Sequence, residues 1–429
     1  MKFCRKLKRD LEKCIHFDVS EMSKVTLFPG RAFTRKRKLT LEGLIWYFLS
    51  LQASDLETEV AWINDFDPDS ITASGFRQQR DKLLPSALET VYERFTQACF
   101  RRSRRLTYAG YRVFACDGSD FRVVNNPKEP STYCLSSKSG EGYNLVKVNA
   151  LYDVMNHIYG PVLILPKQED NERRAAVRLI RKHAASEPVI YVMDRGYECY
   201  TLPMVLTKLH QYYVIRAQSP NQNGILKGLK TEMAEHAAED GTFDFTFQRN
   251  LIQHNDGKYT RDDKAAEGEC LTLRVAAIQL NDHTLEYVLT NLPDTDATSE
   301  DLKAIYHLRW GIETSFRHLK YDIGGKVLHA KAFKHYIHEL YAAFILYNFC
   351  STIIMHYNQE NAALLKKKKH TYRINFRQGI RVCRKFLTYG KINVEKWLLK
   401  RLVAIREGRS EVPRGKIQPQ RAVSFQYRF

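Results

Sequence analysis

The sequence predicts an α/β protein with a mixed β-sheet at its core, and three observations support this. In the first hundred residues, LTLEGLIWYFLSL and SALETVYERFTQACF carry apolar residues at three- and four-residue spacing, which predicts helices. From Tyr111 the chain changes to strand-like runs such as YRVFACDGSDFRVV. Two later runs, IYGPVLILP and PVIYVMDRGY, flank a helical stretch. Strands followed by a strand–helix alternation are typical of an α/β core with a mixed sheet.

Changes in composition divide the chain into five predicted regions. A helical N-terminal region covers residues 1–105. The α/β core occupies residues 106–218 and 299–360, and the polar, strand-rich stretch 219–298 between them is interpreted as a β-strand insertion domain. Residues 361–429 form a basic C-terminal region. Several compact units are expected because 429 residues exceed the usual size of one domain.

One predicted N-terminal helix has two interpretations. The segment ITASGFRQQRDKL has a cap-like start and a basic face. It could be a recognition helix, which would make residues 1–105 a DNA-binding domain. Alternatively it is an ordinary packing helix with Arg77, Arg80 and Lys82 in solvent.

The charge of the chain points to a polyanionic partner. The net charge is +19, and residues 361–429 contain 19 Lys or Arg against 3 Asp or Glu. Such concentration of positive charge favours nucleic acid over a solvated tail or a membrane-surface patch.

Cysteine usage and hydropathy predict a cytoplasmic protein with no membrane partner. The nine cysteines are scattered without a CxxC pair, which indicates neither a disulfide framework nor a zinc site. The basic start MKFCRKLKRDLEKC has no apolar core of a secretory signal. The long apolar run LYAAFILYNFCSTIIMHYNQ contains Asn348, Ser351 and Thr352, so it is interpreted as a buried helix.

The segment YHLRWGIETSFRHLK places four functional side chains on one face of a predicted helix. Tyr306, Arg309, Glu313 and Lys320 stand at offsets 0, 3, 7 and 14, which on an α-helix fall within a sector of roughly 60°. The outer two are about 21 Å apart along the axis, so an extended strand rather than a small ligand could contact all four. The alternative is a solvated face with an i,i+4 Arg–Glu pair and Tyr306 half-buried.

Two further acids end strand-like runs and precede glycine-containing turns. Asp117 lies in VFACDGSD and Asp194 in VIYVMDRGY. Open α/β sheets bind ligands at the carboxyl ends of their strands, although Asp before Gly is also an ordinary turn residue. Together with Glu313 these residues form a set of three acids on two strands and one helix. A single carboxylate could not hold a pair of divalent metals, whereas such a set could.

These motifs identify a resemblance to a known family. The chain resembles bacterial insertion-sequence transposases of the insertion-sequence-four group, whose signature Tyr-x2-Arg-x3-Glu-x6-Lys is matched without a gap by the four helix residues. DGSDF around Asp117, NNPKEPSTY, LYDV and DRGY around Asp194 also look like that group's catalytic regions. The resemblance runs from about residue 30 to about residue 350.

The resemblance implies an RNase H-like mixed-sheet catalytic core with a DDE triad. It implies that Asp117, Asp194 and Glu313 coordinate two Mg²⁺ ions, with Mn²⁺ as a possible substitute, and that phosphates of the transposon end are bound by Tyr306, Arg309 and Lys320. Enzymes of this group cut DNA at element ends and join the freed 3′-hydroxyl to target DNA. The implied partners are terminal inverted repeats, target DNA and a second copy of the chain, and the implied location is the bacterial nucleoid.

Other residues and other functions are ranked lower. Asp120 should face away from Asp117, and Asp153 should lie in a hairpin turn. Cys116 and Cys199 are interpreted as packing residues. Three histidines, 329, 335 and 338, are expected to be solvated or to contact phosphate. The alternative functions are a transposase-derived DNA-binding protein without catalysis and an RNA-binding or structural protein with a basic tail.

Overall fold

A computed structural model describes residues 1–34, 38–52, 54–136, 140–169, 171–250, 270–281, 284–325, 327–366 and 372–405. The described helices are α1 (Lys2–Ile15), α2 (Met22–Val25), α3 (Leu41–Ser50), α4 (Leu56–Ile63), α5 (Ala73–Arg80), α6 (Ser86–Arg102), α7 (Glu172–His183), α8 (Thr201–Lys208), α9 (Lys230–His236), α10 (Ser299–Leu308), α11 (Trp310–Arg317), α12 (Phe333–Glu360), α13 (Ala362–Lys366), α14 (Phe376–Tyr389) and α15 (Val394–Leu398).

The centre of the protein is one mixed β-sheet, so the predicted α/β class is confirmed. Its described strands are β1 (Arg112–Val123), β2 (Tyr133–Leu135), β3 (Gly142–Asp153), β4 (Ile158–Pro166), β5 (Val189–Met193), β6 (Tyr212–Ala217), β7 (Phe243–Asn250), β8 (Cys270–Asn281) and β9 (Thr284–Thr290). They run in the order β2-β3-β1-β5-β6-β9-β8-β7, with β4 paired to β3. The pairs β1–β5 and β5–β6 are parallel, and the other pairs are antiparallel. A small separate pair joins β10 (Tyr372–Ile374) to β11 (Leu402–Ala404).

The strands from the predicted insertion extend this central sheet. β9 pairs antiparallel with β6, with Val214 opposite Thr290, and β8 and β7 follow outward. Because strand pairing satisfies the backbone groups of β6, the core sheet does not end there. The described part of residues 219–298 therefore continues the sheet that carries the predicted acids.

The long apolar helix α12 is a core helix, as predicted. It is long and apolar enough to cross a membrane, yet 89% of its most apolar window is buried within the protein. Its polar residues bond across the core: the Asn348 side chain accepts from the backbone N–H of Tyr159 at 2.9 Å and donates to the carbonyl of Tyr159 at 3.0 Å. Ser351 Oγ donates to the carbonyl of His157 at 2.6 Å. These bonds allow polar residues in a buried helix.

The helix α5 packs against the core through a buried arginine. Thr72 caps its start by accepting from the backbone N–H of Gly75 at 3.1 Å. Arg80 is buried and lies 3.7 Å from Glu339 of α12. The expectation that Arg80 is in solvent is therefore wrong, because its partner comes from a helix that is distant in sequence.

Part of the basic C-terminal region is folded against α12. Ile380, Cys383 and Phe386 of α14 are buried there. The Arg384 guanidinium donates to the carbonyls of Ile323 at 2.9 Å and Leu51 at 2.7 Å. This arginine therefore fastens the segment that follows α11 to the N-terminal helices.

Candidate active site

Asp117 and Asp194 lie at the same level of two neighbouring parallel strands. Asp194 directly follows β5, as predicted, but the turn predicted after Asp117 is wrong, because β1 continues through Gly118 to Val123. In the β1–β5 pair Ala115 is opposite Val192, and each aspartate is two residues beyond that last pair. The Asp117 carboxylate accepts from the backbone N–H of Gly118 at 2.8 Å. Asp194 caps the short 3₁₀ turn Arg195–Tyr197, because its carboxylate accepts from the N–H of Gly196 at 2.8 Å. The strand register therefore brings these two predicted acids together.

Glu313 joins the two aspartates from the helical side. The pKa of Asp117 is raised to about 7, first by burial and then by the negative charges of Asp194 and Glu313, against the opposing effects of the Gly118 N–H and Arg309. A carboxyl group responds in this way when like charges are nearby. The three predicted acids, from β1, from the end of β5 and from α11, thus form one electrostatically coupled set.

The helix that carries Glu313 begins as predicted but is not regular. Thr298 and Asp301 form the predicted capping box, in which the Thr298 N–H donates to Asp301 Oδ2 at 3.0 Å and the Thr298 hydroxyl accepts from the Asp301 N–H. The helix is divided between α10 and α11 at Arg309 and ends in a π-helical turn, His318–Asp322. The straight α-helix used to place the four signature residues is therefore an approximation.

Arg309 is buried beside Glu313. Its Nη2 lies 2.8 Å from Glu313 Oε1, and Arg309 is 4% exposed. The guanidinium lies 4.7 Å from the ring centre of Trp310 and 5.7 Å from that of Tyr306. The predicted i,i+4 pair of Arg309 and Glu313 is present. The alternative interpretation of this helix face as solvated is wrong. Arg309 and Tyr306 are both buried.

Lys320 is in the π-helical turn and points at the central sheet. Its Nζ lies 4.9 Å from the ring centre of Phe121, a residue of β1. Phe121 is four residues beyond Asp117 on the same face of that strand. Lys320 is therefore next to the strand that carries the first acid, on the α11 side of the sheet.

Two competing acids have structural partners instead. Asp153 is fully buried, with Arg112 Nη2 at 2.6 Å and with Asn156 donating to it across the β3–β4 turn. Asp120 lies 3.3 Å from Lys147 on the face of β1 opposite to Asp117, as alternation predicts. Cys116 is buried, which agrees with its interpretation as a packing residue.

Cys199 is also buried, and none of the nine described cysteines forms a disulfide. The prediction for the histidines is wrong. His335 and His338 are buried on α12, and the His329 side chain lies between Glu59 and Glu339. Burial against the N-terminal helices removes all three side chains from solvent.

Glu172 is a residue of this site that the sequence did not single out. It is the first residue of α7, and its Oε1 lies 2.6 Å from Lys147 Nζ. A glutamate in the first turn of a helix is common, because it complements the helix dipole, so its position in NERRA carries no functional signal. Only the packing of α7 on the sheet brings it beside the glycine that follows Asp117.

Within the described ranges, no group of three or more His, Cys, Asp or Glu side chains is arranged as a ready-made metal site. Each acid of the set has a local partner instead: a backbone N–H for Asp117 and for Asp194, and Arg309 for Glu313. The oxygen donors are nonetheless those that hard divalent cations prefer.

A mixed sheet with coupled acids at its central strands and on a following helix is the arrangement of a DDE-type enzyme. The model of the family described as "Transposase DDE domain" matches residues 108–349, more than half of the chain, and the chain belongs to this family. It is a DDE-type transposase, and enzymes of this type generally use divalent metal ions.

No curated protein matches the chain. Among solved structures, the chain is similar to a cryo-EM structure of a piggyBac transposase synaptic complex with hairpin DNA. The identity is 11% and the TM-score 0.47, and the match covers 92% of this chain and 81% of the other.

Proposed function

We propose that this transposase is of the insertion-sequence-four type, with an RNase H-like core that cleaves DNA at the ends of an insertion sequence and transfers the freed strand to target DNA. One observation carries the proposal: the parallel register of β1 and β5 brings Asp117 and Asp194 to the same level of the sheet. The charges of Asp194 and Glu313 both act on Asp117, which supports a shared site. The spacing of Tyr306, Arg309, Glu313 and Lys320 supports the choice of group.

The three acids fit a divalent cation. Asp117, Asp194 and Glu313 would hold it, because burial and two neighbouring negative charges make a free carboxylate at Asp117 unfavourable, and a cation relieves that cost. Bound Mg²⁺, with Mn²⁺ as a substitute, would supply activation of the attacking oxygen and stabilisation of the leaving oxygen.

The chain's own residues orient the acids and bind the substrate. The Gly118 and Gly196 N–H groups fix one oxygen of each aspartate. Arg309 fixes Glu313 and keeps a positive charge beside the three acids. We further propose that Tyr306, Arg309 and Lys320 contact phosphates of the transposon end.

The proposed DNA partners are the terminal inverted repeats of the element and the target DNA. A homodimer would hold two ends together, and the protein would act in the bacterial cytoplasm at the nucleoid. The net charge of +19 supports a polyanionic substrate.

The test is single-turnover nicking of a duplex that carries the terminal repeat found beside the reading frame, with the full-length chain and Mg²⁺. Asp117→Asn, Asp194→Asn and Glu313→Gln should each abolish nicking while end binding remains, because they remove metal ligands. Glu300→Gln, an exposed change on α10, is the matched control. Near wild-type nicking by Asp194→Asn contradicts the assignment. Binding without nicking by the wild-type chain in Mg²⁺ or Mn²⁺ favours a transposase-derived DNA-binding protein.

A further inference from the structure

The backbone immediately after Asp117 is enclosed by polar side chains on the α7 side of the sheet. A Cβ on Gly118 would lie 2.9 Å from Glu172 Oε1, 2.9 Å from Asn149 Oδ1 and 3.0 Å from Lys147 Cε. Real Cβ atoms essentially never approach oxygen this closely. Glycine at position 118 therefore lets the Glu172 carboxylate rest directly on the strand that carries the first acid.

The first turn of α7 also reaches the turn of the second acid. A Cβ on Gly196 would lie 3.9 Å from Glu172 Oε2 and 3.1 Å from Asp194 Oδ1. The next residue of α7, Arg173, donates through Nε to the carbonyl of Gly196 at 2.9 Å. The first turn of α7 thus contacts both glycine positions that follow the proposed metal ligands.

Glu172 is held in this place by a nearly buried cation. Lys147 Nζ lies 2.6 Å from Glu172 Oε1 and 3.3 Å from Asp120 Oδ1, and the Lys147 side chain is 8% exposed. An ammonium group with so little solvent contact requires a carboxylate partner. Lys147 and Gly118 are near neighbours across the β1–β3 pair, in which Gly118 is opposite Asn149.

The surroundings of Glu172 are polar and not fully satisfied. Asn149 is 1% exposed, and within the described part of the chain neither its amide nitrogen nor its amide oxygen has a hydrogen-bond partner. The charges of Glu172, Asp117 and Asp194 all act on the buried hydroxyl of Tyr197: burial raises its pKa most, and these three carboxylates raise it further. Glu172 is therefore within electrostatic range of the same groups as the proposed catalytic aspartates.

We propose that Glu172, paired with Lys147, is a positioning residue that sets the distance between strand β1 at Asp117 and the turn at Asp194. The proposal rests on the proposed function, since it assigns Glu172 a role toward the acids of that site. Glu172 acts at Gly118, and its neighbour Arg173 links the same turn of α7 to Gly196. Outer groups that orient ligands in this way typically change metal affinity or activity by about ten- to a hundredfold when they are removed.

The first experiment measures cation binding without DNA. The full-length wild-type chain, Glu172→Gln and the control Glu169→Gln are heated with increasing MnCl₂ or MgCl₂, and the rise in Tm is recorded. Glu169 is exposed on the 3₁₀ turn just before α7. Glu172→Gln should need about ten times more cation for the same rise, while Glu169→Gln follows the wild-type curve. A wild-type cation response in Glu172→Gln contradicts the proposal, even if its Tm without cation is lower.

The second experiment tests whether Lys147 and Glu172 act as one unit. Single-turnover nicking is measured for Lys147→Met, Glu172→Gln and the double variant, at saturating DNA and below every Tm. For a positioning pair, each single change slows nicking by about ten- to a hundredfold and the double change is no worse than the slower single change. The proposal is overturned if the double variant is slowed by the product of the two single effects, or if Glu172→Gln nicks DNA at the wild-type rate. If the wild-type chain does not nick DNA, the result contradicts the proposed function instead. The role of Glu172 is then decided by the rise in Tm with cation in the first experiment.

Discussion

Deprotonation of His329 should make the stability of this protein fall at alkaline pH. Its side chain is 5% exposed, with Nδ1 3.3 Å from Glu339 and Nε2 3.4 Å from Glu59. Nε2 also lies 3.0 Å from the carbonyl of Ser54, and Arg80 faces Glu339 from α5. Burial opposes protonation, but the two glutamates outweigh it and raise the pKa of His329 to about 10.

The sign and size of the effect follow from this pKa. Because the folded pKa is raised above the unfolded value of about 6.5, the stabilisation is fully present below pH 6.5 and is lost as pH rises through 10. At about 1.4 kcal/mol per pKa unit, the loss over that window is roughly 4–5 kcal/mol. This is a large part of the stability of an ordinary domain.

The assay is urea unfolding of the wild-type chain and His329→Gln at several pH values from 6.5 to 10. Other groups titrate in this range, so the quantity of interest is the difference between the two curves. The difference in free energy of unfolding between wild type and variant should shrink by several kcal/mol as pH rises, because the variant has no imidazolium to lose. His307→Gln, an exposed change on α10, should follow the wild-type curve. A constant difference between wild type and His329→Gln would refute the reasoning.

Three further changes test other parts of the structure. Arg309→Ala should slow nicking more than Lys320→Ala, because Arg309 is buried and also holds the helix acid; equal single-turnover rates would contradict this. Removal of residues 406–429, with six Lys or Arg against two acids, should make the fall of the duplex-binding constant with rising salt less steep. An unchanged salt dependence would mean that other parts of the chain contact the DNA phosphates. Asn348→Ala should cost about 2–4 kcal/mol in urea unfolding, because backbone groups of β4 lose their partners; a loss under about 0.5 kcal/mol would mean that water replaces the amide.

The parts of the site that the sequence predicts are those fixed by local pattern. Asp117 and Asp194 are candidates because each ends an apolar run, and the parallel register of β1 and β5 places the two at the same level of the sheet. The capping box at Thr298 is likewise a short-range signal, and it forms as predicted.

The parts that were missed depend on residues far apart in the chain. The predicted insertion strands join the central sheet because β9 pairs with β6, and no local pattern states which strand another will pair with. His329 was expected in solvent because neither Glu59 nor Glu339 is near it in sequence. Glu172 was missed for the same reason, since its position at Gly118 and its ion pair with Lys147 exist only when α7 is packed on the sheet.

The position of Glu313 depends on the N-terminal helices as well as on its own helix. The chain leaves α11 through Ile323, whose carbonyl is bonded by Arg384, and that guanidinium also bonds Leu51 at the end of α3. A few residues later His329 is clamped between Glu59 of α4 and α12. Both contacts are made by the segment that joins α11 to the core helix α12. A shift of α3 and α4 would therefore move this segment, and with it the end of α11. The N-terminal region therefore contributes to the geometry of the acids.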